Sequence, residues 1–146
     1  MPLTLTVEDR LDIAHTVARY AHIPNNTDFD ALDFVFTHDA VLNTAGVTEP
    51  RRGIAEIREA LSARHIADHM TTNVCIDVTD NDIRVWSMFL VVTDEGQAIN
   101  GDYLDVVIRT KAGWRVTERT VVRRYSGADA EATMAAYKTW LFSRRR

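Results

Sequence analysis

The sequence has a single cysteine, Cys75, so no disulfide can form within the chain. A lone thiol suits a reducing compartment. The stretch from Met1 to Arg10 is polar and acidic and lacks the apolar centre of a signal peptide. No apolar run approaches the roughly 20 residues that span a bilayer. These absences predict a cytoplasmic protein with no membrane partner. A basic surplus is missing too: 17 Lys and Arg stand against 21 Asp and Glu, for a net charge of −4. Domains that hold nucleic acid carry a basic surface, so no nucleic-acid partner is expected. The one basic run, Arg144-Arg145-Arg146, reads as a solvated tail.

Two further absences bear on chemistry. There is no glycine-rich phosphate loop, so no nucleotide cofactor is expected. The histidines show no spacing typical of a metal site. His65 and His69 are four apart, but a helix is expected to end between them, so the two rings should diverge. The reading is therefore no cofactor and no metal. With no repeat or linker, the 146 residues form one domain, 1–146.

What is present is a change of hydrophobic period. Thr6 and Asp9 resemble a helix start. Leu11, Ala14, Val17, Ala18 and Ala21 follow at helical spacing, and Pro24 is expected to stop the helix near His22. Asp28 can cap a short second helix that buries Phe29, Leu32, Val35 and Phe36. A short extended stretch covers Ala40 to Asn43. Gly53 precedes a third helix with Ile54, Ile57, Ala60 and Leu61 on one face. From His69 the period becomes two, with His69, Thr71, Asn73, Cys75 and Asp77 on one face of a strand. Strands follow over Ile83 to Thr93, Ile99 to Thr110 and Trp114 to Tyr125, joined by short polar turns. A last helix is expected from Ala130 to Leu141. Helices first and long strands after predict an α+β fold: N-terminal helices packed on a strongly curved, mostly antiparallel sheet. A concave sheet face closed by helices is a place for a small molecule. The sheet's other face keeps apolar residues among Trp86, Met88, Leu90 and Val92, which predicts a homodimer.

Several segments together resemble the SnoaL-like proteins of the nuclear-transport-factor-2-like superfamily. They are Arg19-Tyr20-Ala21, Phe29-Asp30-Ala31-Leu32, Phe36-Thr37-His38-Asp39-Ala40-Val41, His69-Met70-Thr71-Thr72-Asn73, Gly101-Asp102-Tyr103-Leu104-Asp105 and Gly113-Trp114-Arg115-Val116. The resemblance covers roughly residues 8 to 124. It implies a cone-shaped α+β barrel and membership among polyketide cyclases, dehydratases, isomerases and homologues without assigned activity. In branches similar to dehydratases, an aspartate five residues after the helix tyrosine pairs with the sheet histidine. Here that position holds Asn25.

The candidate catalytic pair is His69 and Tyr20. An imidazole can move a proton near neutral pH, and a phenol can hydrogen-bond a developing oxyanion. His69 is expected to face the largest cavity, with Tyr20 on the opposite wall. Asn25, Asn73, Asp105 and Arg119 are the candidate substrate-binding residues. Asn25 can donate and accept, so it could orient His69 or a substrate oxygen. Asp105 shares a strand face with Tyr103. An Asp105–Arg119 pair could hold an anion, or it could be a cross-strand salt bridge. Two functions stay open. One is a cofactor-independent lyase, isomerase or cyclase acting on a hydrophobic oxygenated small molecule by His-mediated proton transfer. The other is a non-catalytic small-molecule-binding protein of the same fold, or a small partner subunit of an oxygenase. A carboxylate within hydrogen-bond reach of His69 would favour the enzyme, and an apolar His69 environment the binder.

Overall fold

A computed structural model describes residues 3–63, 68–79 and 82–124, together with Ala135. The elements are α1 (Val7–Asn25), a short 3₁₀ helix (Phe29–Phe34), β1 (Phe36–Thr44), β2 (Arg51–Arg52) and α2 (Gly53–Ser62). Four long strands follow: β3 (Asp68–Val78), β4 (Ile83–Val92), β5 (Ala98–Thr110) and β6 (Gly113–Arg123). They form one six-stranded sheet in the order β2-β1-β6-β5-β4-β3. Every pairing is antiparallel except β1 against β6. The expected α+β architecture is thus the one observed. The sheet is curved but does not close: among the described residues β2 and β3 are its edges, and α1 packs over β3 and β6. The expected helix over 130–141 and His65 lie outside the described residues.

The start of α1 matches its sequence signal. Thr6 and Asp9 exchange side-chain and backbone hydrogen bonds in a capping box. Asp9 also accepts from the Trp114 indole at 3.2 Å and from Arg109 at 2.6 Å. This anchor sets the rotation of the helix. The buried stripe runs Asp9, Ile13, Thr16, Val17, Tyr20 and Ala21. It is displaced from the expected one, and Leu11 is 66% exposed. Pro24 does not stop the helix at His22. A proline removes one backbone donor, but here it does so in the last turn, which closes with the Asn26 N–H on the His22 carbonyl at 3.1 Å. The second helix is a 3₁₀ helix without a side-chain cap from Asp28. It and the chain after it bury Leu32, Val35 and Phe36 as expected.

Two bulges give the sheet its inner face. Between Thr72 and Cys75 the register of β3 against β4 slips, with Ser87 opposite two residues. Asn73 there adopts a left-handed φ of 52°, a conformation asparagine tolerates better than most residues. The slip reverses the alternation: His69 and Thr71 face inward before it, whereas Val74 and Ile76 pack on the core after it. The expectation that His69, Asn73, Cys75 and Asp77 share one face therefore fails at Asn73, and Cys75 is exposed. A second slip leaves Thr117 of β6 without a partner on β5, between Val116 and Glu118. Trp114 and Val116 point inward before it, and Arg119 after it, all three buried.

Candidate functional site

Helices α1 and α2, strand β1 and the inner faces of β3 to β6 line a cavity of about 430 Å³. Its walls are mostly apolar, including Leu42, Leu61, Val91, Ile99 and Val121. The polar lining residues are His69, Tyr20, Tyr103, Arg123, Thr44 and Thr93.

His69 lies near the start of edge strand β3, where one side of the backbone has no neighbouring strand among the described residues. The side-chain amide of Asn25 fills that place. Its oxygen accepts from the His69 N–H at 2.7 Å, and its nitrogen donates to the His69 carbonyl at 3.0 Å. Asn25 thus holds the main chain that carries His69, and it does not contact the imidazole as the expected orienting partner of the ring. An aspartate in this pose would set a second acceptor against the His69 carbonyl. The position suits an amide because it mimics a peptide, donor and acceptor together.

The His69 ring is buried in the cavity wall, and its Nδ1 has no hydrogen-bond partner among the described residues. No carboxylate reaches it there. Burial, and then the Arg119 guanidinium, lower its pKa from 6.5 to about 4. The ring is neutral at physiological pH. The tautomer of a neutral histidine is set by the bond its other nitrogen makes, and here nothing described fixes it. Tyr20 does not lie on the opposite wall. Its ring meets His69 edge to face at 6.2 Å, and it also meets Tyr103 at 5.6 Å and Phe36 at 5.8 Å.

Asp105 and Arg119 pair directly across β5 and β6. Two hydrogen bonds of 2.7 Å join them, and neither side chain is exposed. The guanidinium lies 4.1 Å from the Tyr103 ring centroid and 4.4 Å from that of Tyr20. Burial alone would lower the Arg119 pKa, but Asp105 outweighs it and holds the value above the ordinary one. The pair sits behind the two tyrosines and does not line the cavity. It is a buried cross-strand salt bridge, the second of the two readings open from sequence. Burial also pushes the Tyr103 hydroxyl pKa well up, so the phenol stays protonated. Asn73 does not reach the cavity at all. At the bulge its side chain is exposed and lies against the Met88 sulfur at 3.2 Å.

Three further lining residues were not among the candidate site residues: Phe89, Tyr103 and Arg123. Tyr103 lies two residues from Asp105 on the same strand face, and Arg123 four residues from Arg119, so strand parity was the signal for both. Phe89 stacks on Tyr103 at 4.8 Å with an interplanar angle of 27°.

Residues 5–120 match the family model of the SnoaL-like domain. The chain belongs to the SnoaL-like family. Among solved structures, this SnoaL-like domain is similar to a candidate aromatic ring hydroxylase from Novosphingobium aromaticivorans, at 33% identity and a TM-score of 0.66. That likeness covers 81% of this chain and 90% of the other. A cystatin-like-fold protein of unknown function from Nostoc punctiforme shares 23% identity over 85% of this chain and 97% of its own, with a TM-score of 0.73. A candidate scytalone dehydratase from N. aromaticivorans shares 18% identity over 81% and 88%, with a TM-score of 0.64. The last two establish the common fold alone. No curated protein matches the chain. No helix among the described residues of this SnoaL-like domain is long and apolar enough to cross a membrane.

Proposed function

We propose that this SnoaL-like domain binds a hydrophobic, oxygen-bearing small molecule in the cavity beside α1, with His69 as a neutral hydrogen-bonding partner for its oxygen. The observation that carries this reading is a histidine buried in an otherwise largely apolar wall, with no carboxylate on its ring among the described residues. An imidazolium there has no counter-charge and faces Arg119. A neutral ring can accept or donate, and a polar group in an apolar cavity gives a ligand its orientation.

A second reading rests on the contact of Tyr20 with His69 at the cavity wall. Neutral His69 would accept a proton from a carbon next to a carbonyl, in a lyase, isomerase or cyclase reaction without a cofactor. A third, a small partner subunit of an oxygenase, draws on the likeness to the candidate aromatic ring hydroxylase.

One set of measurements separates the first two. Aromatic, steroid and polyketide-like ligands are added and followed by chromatography, while His69 is titrated by NMR. The binding reading expects saturable binding, unchanged ligand on recovery and a His69 pKa near 4. Ligand consumption that falls by about 10²–10⁴-fold in His69→Ala would replace it with the proton-transfer reading. The titration has a linked effect on stability. The folded pKa lies below the unfolded one, so on acidification the unfolded chain takes up the proton first. His69 therefore lowers stability as pH falls from about 6.5 to about 4, and adds nothing further below that. Denaturant midpoints of wild type and His69→Gln should diverge across that window, with the wild type losing more.

We also propose that the chain forms a homodimer through the outer face of the sheet. Met70 is 44% and Ile108 is 43% exposed there, beside the half-buried Trp86, Met88 and Leu104. Apolar surface of this kind favours cover. Sedimentation at micromolar concentration should give a dimer that Ile108→Lys weakens, and a wild-type monomer would end the proposal.

A further inference from the structure

Helix α1 carries a second apolar stripe, on the side away from the sheet. Val7 is 76% and Leu11 is 66% exposed, the two most exposed large apolar side chains among the described residues. Ala14 and Ala18, both partly exposed, continue the line. The four positions are spaced by four, three and four residues, as in a coiled-coil seam. At 100° per residue they fall within about 60° of one another, roughly 150° round the helix from the buried stripe. A helix that only covers a sheet would carry polar residues there.

The stripe has a direction. Its two large residues come first and its two small ones last. Charge follows the same order along one flank. Glu8 and Asp12 are exposed in the first half, and His15 and the half-buried Arg19 lie in the second. Among the described residues neither acid has an ion-pair partner. The two basic groups form one cluster, with Arg19 Nη2 at 3.4 Å from His15 Nε2. The Arg19 guanidinium lies over the Phe34 ring at 5.3 Å. That contact uses the face of the group and leaves further in-plane donors for a carboxylate. The charge order alone would serve the helix dipole. The seam beside it is what the dipole does not explain.

We propose that this face of α1 pairs antiparallel with the same face of a second copy of the chain, in a contact separate from the one at the outer face of the sheet. One two-fold axis between Asp12 and Ile13 sets Val7 on the partner's Ala18 and Leu11 on the partner's Ala14. Large then meets small at both places, which lets the helices interdigitate closely. The same axis brings Glu8 to the partner's Arg19 and Asp12 to the partner's His15. A parallel pair would instead set acid on acid and base on base. The contact is one helix wide, less than a standard interface, so the association is weak and depends on concentration.

Sedimentation over rising concentration tests this in an Ile108→Lys background, which suppresses the sheet contact. Self-association is expected there, and Leu11→Lys should weaken it at least about tenfold. Glu8→Lys with Asp12→Lys makes the flank wholly basic, and His15→Glu with Arg19→Glu makes it wholly acidic. Each double variant should lose self-association, and a mixture of the two should regain it. Cross-linking reads the direction of the helices, with the exposed Cys75 replaced by serine. On mild oxidation, Val7→Cys mixed with Ala18→Cys should form a disulfide between them. Val7→Cys alone should not, because the rise along an antiparallel pair sets its two copies about 16 Å apart, beyond the reach of a disulfide. An Ile108→Lys protein that stays monomeric throughout would overturn the proposal. So would association that Leu11→Lys leaves unchanged, or a Val7→Cys that links to itself as readily as to Ala18→Cys.

Discussion

Asp105→Ala is expected to lower stability to unfolding by about 3–5 kcal/mol, the usual cost of leaving one member of a buried ion pair alone. Both side chains are fully buried, and the guanidinium lies against two tyrosine rings. Arg119 cannot shed its proton to escape, because arginine stays charged in proteins. Removing both charges should be far milder. The double replacement Asp105→Leu with Arg119→Met substitutes packing for the pair, and such exchanges are often neutral or better. Urea unfolding of the single and double variants measures this. A single variant within about 1 kcal/mol of wild type would mean that water reaches the guanidinium and the pair is not what holds the floor of the cavity.

The second large effect is expected at Gly101. A Cβ built there would lie 2.1 Å from the Val122 carbonyl oxygen and 2.7 Å from two ring atoms of Phe89. Gly101 faces Phe89 across β4 and β5, and the missing side chain is what lets that ring lie down onto Tyr103. Gly101→Ala should cost about 3 kcal/mol, at the upper end of ordinary overpacking, because one of the two clashes is with backbone. It should also displace the Phe89 ring and weaken binding of any aromatic probe. Adding Phe89→Leu should relieve the ring clash but not the carbonyl clash, so rescue should be partial. Thermal melts of the three variants decide it. Full rescue would show that the carbonyl contact relaxes freely.

These two positions also mark how far the sequence could be read. Strand parity put Tyr103 and Asp105 on one face, and β5 follows it; Arg119 lies after the slip in β6 yet still pairs with Asp105, so the Asp105–Arg119 pair was legible from its place on the next strand. It was the pair's depth that was not: a salt bridge behind two tyrosines and one at a cavity wall have the same spacing. The bulge at Thr72–Cys75 was not legible either, because no glycine or proline marks it and Asn73 carries the left-handed turn. That one slip removed Asn73 from the site. The family's motif order named Tyr20 and His69 as a pair but set them on opposite walls, whereas their rings meet edge to face, and the role of Asn25 was not legible either. Motif alignment places residue 25 near His69 and says nothing of whether it meets ring or main chain. The rotation of α1 depended on Asp9 reaching Trp114 and Arg109, contacts about 100 residues away in sequence that no local period reports.

The free edge formed by β3 has a consequence for how the protein behaves at high concentration. An unpaired strand offers its row of N–H and C=O groups to any passing backbone, and repeated addition there is how sheets grow into fibrils. On β3 that row is interrupted three times. Asn25 occupies both groups of His69, the slip beside Asn73 breaks the straight run, and Arg10 takes the Ile76 carbonyl at 3.2 Å. An incoming strand finds no long uninterrupted template. The same amide that seats the histidine of the cavity thus guards the molecule against templated aggregation along that edge.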